Sequence, residues 1–147
     1  MADTPDIEIN WTFEAPREEV WREWTEPERF ADWYGGPDYP IPLETVAMDV
    51  REGGKWNLVM IAGPREIHWD GEYIEVNEPE RLVFTVSDQP DEDVYDLCTV
   101  VLSTVDGGRT EMLFHQTGGH MPAEAYKRAA QGWSGFFERI AERLAAD

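Results

Sequence analysis

The sequence predicts an α+β domain: a curved antiparallel sheet of about 6–7 strands around one long C-terminal helix, with two short helices after strand 1. Three observations predict it. The middle of the chain is a succession of apolar, β-branched and aromatic segments joined by short turns, which gives an antiparallel meander. The end of the chain carries one wide helical stripe, the only element large enough to cover the apolar face of such a sheet. The length, 147 residues with 41% hydrophobic, fits a single domain over 1–147 with ample core material.

The elements follow in order. In "IEINWTF", Ile7, Ile9, Trp11 and Phe13 alternate on one face, the pattern of a half-buried strand. "APREEVWREWT" then starts a helix, with Pro16 in the first turn, Glu18 and Glu19 near its positive end, and Val20 and Trp24 four apart. "TEPERFADWYGG" restarts. Thr25 and Glu28 have capping-box spacing, Phe30, Trp33 and Tyr34 share a face, and Gly35–Gly36 ends the helix. A Pro-rich link, "PDYPIP", leads to the strands "TVAMDV" (45–50) and "KWNLVMIA" (55–62), separated by the turn "REGG". After "GPRE" comes "IHWDGEYIEV", which turns through "NEPE" into "RLVFTVS". "DQPDEDVYD" (88–96) reads as a mobile acidic loop. "LCTVVLSTV" and "RTEMLFHQT" form a hairpin around "DGG". The last helix follows Pro122, with Tyr126, Ala129, Ala130, Trp133, Phe137, Ile140 and Leu144 in one stripe.

Composition narrows the partners. The formal net charge is −19, with only two lysines, Lys55 and Lys127. Such a surface repels nucleic-acid phosphates and anionic lipid heads, so neither nucleic acid nor membrane is expected as a partner. No apolar run reaches membrane-spanning length, and "MADTPDIEINW" lacks an export signal. With one cysteine, Cys98, neither an internal disulfide nor a cysteine-based zinc site can form. A cytoplasmic location is expected, as a monomer or homodimer.

The segments "FEAPREEVWREWTEPERFADWYG", "MDVREGGKW", "GEYIEVNEPERLVFTV", "DGGRTEMLFHQTG" and "QGWSGFFERIAERL" carry a family likeness, in order, over about residues 7–145. Their arrangement resembles the helix-grip fold of the START-like (SRPBCC, Bet v allergen-like) superfamily. More narrowly, the chain is similar to homologues of the heat-shock-protein-90 ATPase activator's C-terminal domain. The superfamily includes lipid and hormone binders, polyketide cyclases, ring-hydroxylating oxygenase subunits and co-chaperone domains, so the resemblance implies a fold more sharply than an activity. The family often has a histidine at the end of the last strand in a T-x-L-x-L-x-H pattern. Here "TEMLFHQ" puts Gln116 at that place and His115 one residue earlier, which turns His115 away from the cavity and Gln116 into it.

A sheet gripping one helix need not close, and the space left over would be a cavity. The candidate ligand-binding residues are Trp33 and Tyr34 from the second helix, and Trp56, Leu58 and Met60 from one strand face. Tyr73, Thr85, Val100, Met112, Phe114 and Gln116 come from later strands, and Trp133, Phe136 and Phe137 from the last helix. For any one of them plain core packing is the simpler reading. Together with Gly132 and Gly135 they suit a small hydrophobic ligand, aromatic or lipid-like, with Gln116, Thr85 and a hydroxyl of Tyr34 or Tyr73 orienting a polar end.

No catalytic constellation, metal-ligand spacing or cofactor motif is recognisable. His68, His115 and His120 are not spaced as ligands. Asp49 and Asp70 are the carboxylates nearest the sheet, most simply paired with Arg51 or Arg65. "GWSGF" around Ser134 lies on a helix and is no nucleophile elbow, and Cys98 reads as a buried thiol. "DVREGGKW" lacks phosphate-loop spacing. Non-covalent binding of a hydrophobic molecule is therefore the leading expectation. The alternatives are a cyclase- or hydrolase-like enzyme using a cavity carboxylate, and a chaperone-associated or stress-response protein-binding module. The module would expose an apolar patch, with "EPERFADWYGG" as the first place to look.

Overall fold

Strand β1 (Asp6–Phe13) buries Ile7 and Phe13 and half-buries Ile9 and Trp11, as alternation requires. The structure is a computed structural model that describes residues 6–35, 38–88, 95–118 and 122–145. Helices α1 (Arg17–Thr25) and α2 (Pro27–Trp33) follow β1. Then come a 3-10 turn (Leu43–Thr45) and the strands β2 (Ala47–Met48), β3 (Lys55–Ala62), β4 (Arg65–Asn77), β5 (Arg81–Val86), β6 (Asp96–Val105) and β7 (Arg109–Thr117). Helix α3 (Ala123–Ala145) closes the chain. All seven strands form one antiparallel sheet in the order β1-β7-β6-β5-β4-β3-β2. It is the open helix-grip sheet, with α3 on its concave face.

Three local expectations change. Thr25 does not cap α2. It remains the last residue of α1, where its hydroxyl donates to the Trp21 carbonyl at 2.9 Å. Pro27 then begins α2 with Glu26 at the cap and no side-chain cap bond. The segment 45–50 is a strand only at Ala47–Met48. The Thr45 hydroxyl bonds the Pro42 carbonyl at 2.7 Å and accepts the Val59 N–H at 3.1 Å, so a side chain takes the place of a ladder partner. Finally, Asp96 is the buried first residue of β6 rather than part of a loop, whereas 89–94 lie outside the described residues, as do Gly36 and His120.

Turns set the register. Gly63–Pro64 joins β3 to β4, with Gly63 at φ 65° in the first central position, as a type II′ hairpin turn requires. This pairs Met60 with Ile67, Leu58 with Trp69 and Trp56 with Gly71 on one face. At Gly71 the ladder is rearranged. The Trp56 indole reaches over β4 and donates to the Thr85 carbonyl of β5 at 3.0 Å, and the Thr85 hydroxyl accepts the Glu72 N–H at 2.9 Å. A register shift follows between Tyr73 and Glu75.

The core is aromatic. Trp24, 1% exposed, sits at its centre against Phe30, Trp33, Phe84, Phe114, Trp133 and Phe137, with ring centroids 4.9–6.4 Å away. The Trp33 indole donates to the Glu23 carbonyl at 2.8 Å. The Glu23 carboxylate, 1% exposed, lies between Arg29 of α2 at 3.2 Å and Arg143 of α3 at 2.7 Å. Arg143 and Arg139 also hold Asp32 of α2. The buried Glu23 charge is thus paired on both sides, as its burial demands, and α1 and α2 are tied to α3.

Candidate functional site: a cavity under the C-terminal helix

The N-terminal half of α3 faces the sheet with small residues. Ala125, Ala129 and Gly132 are among the lining residues and leave volume unfilled beside the sheet. The result is a cavity of about 320 Å³, at the lower end of the range for small-molecule sites. Its walls come from Tyr34, Gly35 and Tyr39 after α2, Met60 of β3 and Trp69 of β4. Val86, Ser87 and Asp88 at the end of β5, Asp96 opening β6 and Gln116 near the end of β7 contribute next, with Trp133 and Phe136 from α3.

A hydrogen-bonded chain fixes one wall. The Trp133 indole N–H donates to Gln116 Oε1 at 2.8 Å, and Gln116 Nε2 donates to Asp96 Oδ2 at 2.7 Å. The Tyr126 hydroxyl donates to Asp96 Oδ1 at 3.3 Å. Indole and carboxylate together settle which way the Gln116 amide points, because an indole only donates and a carboxylate only accepts. All four side chains are buried, Asp96 at 2% exposure, so the network is rigid and the Trp133 ring is held as a wall. Gly118 passes so close to Asp96 that a Cβ there would collide with its carboxylate.

Of the candidate ligand-binding residues, Tyr34, Met60, Gln116, Trp133 and Phe136 line this cavity. Trp33, Leu58, Val100, Met112, Phe114 and Phe137 are packed into the closed core instead. Trp56 and Tyr73 border a separate void of about 10 Å³, at the limit for a single water. Thr85 spends its hydroxyl on the β4 backbone. Tyr39, Trp69, Ser87, Asp88 and Asp96 were not legible as wall residues. For Trp69 a signal existed: once the two-residue turn at Gly63–Pro64 is recognised, strand parity puts it on the face of Leu58 and Met60.

The other candidates lie elsewhere. Asp49 is exposed and paired with Arg51 at 2.8 Å. Asp70 exchanges backbone bonds with Ser87, and its Oδ1 is buried without a partner. His68 is exposed beside Glu66, and His115 points away from the cavity to Asp6 at 2.9 Å. Ser134 is half-buried on α3 and is not among the lining residues. Within "EPERFADWYGG", Phe30, Trp33 and Tyr34 all face inward. A depression of about 510 Å³ beside Asn77, Glu80, Arg81, Ser103 and Thr104 is an exposed polar surface feature. Among the described residues no His, Cys, Asp and Glu cluster could hold a metal, and no helix is long and apolar enough to cross a membrane.

Burial pushes the Tyr34 phenol and the Cys98 thiol well above their ordinary ranges, aided by Cys98 and Asp88 for the phenol and by Asp96 for the thiol. Burial also raises Tyr73, with Asp49 adding to it. Both types of group are therefore protonated at neutral pH. The native state holds these protons more tightly than the unfolded chain, so their contribution to stability is complete below the ordinary values of 9.0 and 10.0 and declines as pH rises above them. In a spectrophotometric alkaline titration, Tyr34 and Tyr73 are expected to ionise only as the protein unfolds. Phenolate absorbance from all five tyrosines at ordinary pH with the fold intact would contradict this.

The comparisons with known proteins agree with this architecture. The family model described as "Activator of Hsp90 ATPase homolog 1-like protein" matches residues 14–145. The solution structure of a protein from Arthrobacter aurescens is similar at a TM-score of 0.83 and 22% identity, covering 100% of this chain and 91% of that one. The solution structure of the AHSA1-like protein from Aeromonas hydrophila has a TM-score of 0.76 and 23% identity, covering 95% and 93%. A crystal structure of a protein from Chromobacterium violaceum gives 0.80 and 21%, covering 93% and 95%. At these identities the likeness is one of fold. No curated protein is a significant match. A family model spanning nearly the whole chain, on a seven-stranded sheet gripping one long helix, places the protein in the Activator of Hsp90 ATPase homolog 1-like family of the START-like superfamily.

Proposed function

We propose that the protein binds one small, largely apolar aromatic molecule in the cavity between the sheet and α3. The observation that supports this best is the cavity itself: about 320 Å³, walled by aromatic rings, Met60 and the small face of α3, with few polar groups in its lining. A domain evolved only to pack would gain stability by filling this space, since buried apolar surface stabilises by about 25 cal/mol per Å². Hydrophobic transfer would supply the affinity and the few polar lining groups the orientation. The strongly acidic surface argues against nucleic acid and anionic membranes as partners. The free buried Cys98 fits a cytoplasmic setting.

The test is a calorimetric titration with naphthalene-sized aromatics, alongside the Ala129→Trp variant. Ala129 borders the cavity and is half-buried, so a tryptophan there can occupy the void instead of displacing core. Saturable binding to the wild type, weakened at least about ten-fold (~1.4 kcal/mol) in a folded Ala129→Trp protein, is the expected result. Binding left unchanged by the blocking residue would place the ligand elsewhere and overturn the proposal.

A further inference from the structure

Tyr34 lines the cavity and is 3% exposed, yet its hydroxyl makes no hydrogen bond among the described residues. The polar groups of the neighbouring wall are satisfied: the Trp133 indole and the Gln116 amide bond each other, Gln116 continues to Asp96, and Tyr126 also reaches Asp96. A phenol hydroxyl with no protein partner at the wall of a largely apolar pocket is left to whatever enters that pocket. Unlike the indole nitrogens of Trp24 and Trp69, the Tyr34 hydroxyl is not among the sealed, unpartnered atoms. It opens onto the cavity it lines.

The ring is well fixed. Tyr34 stacks on Phe30 at 4.9 Å and meets Trp69 edge-on at 5.6 Å, with Trp133 and Phe136 at 5.7 and 5.4 Å. The hydroxyl therefore has a defined position, and a fixed donor loses little freedom on binding. Burial keeps the phenol protonated, so it is a neutral donor.

Charge narrows the acceptor. Asp88 and Asp96 are the charged groups among the described lining residues. Bringing a carboxylate or phosphate ligand into a low-dielectric space with these two acids opposes binding, whereas a neutral oxygen meets no such cost.

We propose that the ligand is an uncharged aromatic compound with a carbonyl or other neutral oxygen acceptor that takes the Tyr34 hydroxyl, and that Tyr34 is the residue that positions it. This rests on the cavity-binding reading and adds the chemical class and the orienting contact.

Three probes of one shape separate the ideas: 2-acetylnaphthalene, 2-isopropenylnaphthalene, in which the carbonyl oxygen is replaced by a methylene, and 2-naphthoate. Titrations are made with the wild type and with Tyr34→Phe, which keeps the ring. For the wild type the ketone is expected to bind about five-fold more tightly than the alkene, the net effect of one neutral hydrogen bond. The naphthoate is expected to bind most weakly. In Tyr34→Phe the preference for the ketone over the alkene disappears. The wild type alone provides a second readout should the variant fold poorly: the carbonyl stretch of bound 2-acetylnaphthalene shifts to lower frequency. Equal binding of ketone and alkene, or tightest binding by naphthoate, overturns this inference and leaves the cavity reading standing. No binding by any of the three overturns both.

Discussion

Gly71→Ala is expected to cost about 4 kcal/mol or more, enough to remove most of the stability of a marginal domain. The added Cβ would lie 1.7 Å from the Thr85 carbonyl oxygen and 2.5 Å from Trp56 Nε1. The first collision is with backbone, which no side-chain rotation can relieve. Strand β4 would have to lift from β5 in the middle of a seven-stranded sheet. The second collision removes the indole bond that bridges β3 to β5 over the missing side chain. The two costs are separable. Trp56→Phe removes the bond and some buried volume but keeps the strand contact, so it should cost less, about 2.5 kcal/mol. Combining it with Gly71→Ala should rescue nothing, because the carbonyl collision persists. Urea unfolding of the three variants checks this, and a Gly71→Ala protein within 1 kcal/mol of wild type would refute the close approach.

Trp24→Ala is expected to cost about 3–5 kcal/mol, the range for deleting a large buried aromatic. Six rings surround it, supplied by α2, β5, β7 and α3, so collapse cannot refill the hole from one side. The contrast with phenylalanine is the sharper test. Trp24 Nε1 is buried with no hydrogen-bond partner, so Trp24→Phe gives up volume and no hydrogen bond, and about 1.5 kcal/mol is expected. At Trp33, where the indole bonds the Glu23 carbonyl, the same change also orphans a buried acceptor and should cost more. Equal losses at the two positions would show that this bond contributes nothing.

How far the sequence reaches can be seen at particular residues. Alternation in β1, the stripe on α3 and the turn residues between strands are short-range patterns, and they specify the element order and the inward face. Which inward residues meet a cavity depends on where along the sheet the helix carries small residues. Trp56, Leu58 and Met60 share one face of one strand, yet only Met60 borders the open space. Parity identifies a face and does not identify a height along it. Asp96 escaped because it sits in an acidic stretch that resembles a solvated loop, and only the fold brings it against Gln116 and Tyr126, 20 and 30 positions later. The misassigned cap at Thr25 has a local cause: two helices meet there, and a hydroxyl can serve the end of one or the start of the next.

Helix α3 is held in two chemically different ways. Toward its C-terminus Arg139 and Arg143 grip Glu23 and Asp32, and these guanidinium groups remain partly open to water. Toward its N-terminal half Trp133 and Tyr126 hang from the buried Gln116 and Asp96. Mobile ions weaken charge pairs that solvent can reach and barely touch those sealed from it. Added salt therefore acts first on the exposed Asp32 pairs and on the mutual repulsion of a −19 surface, and less on the buried Glu23 pair or on the buried hydrogen bonds beside the cavity. The Gln116–Asp96 wall of the binding space is thus the less salt-sensitive of the two attachments, on a protein of formal net charge −19.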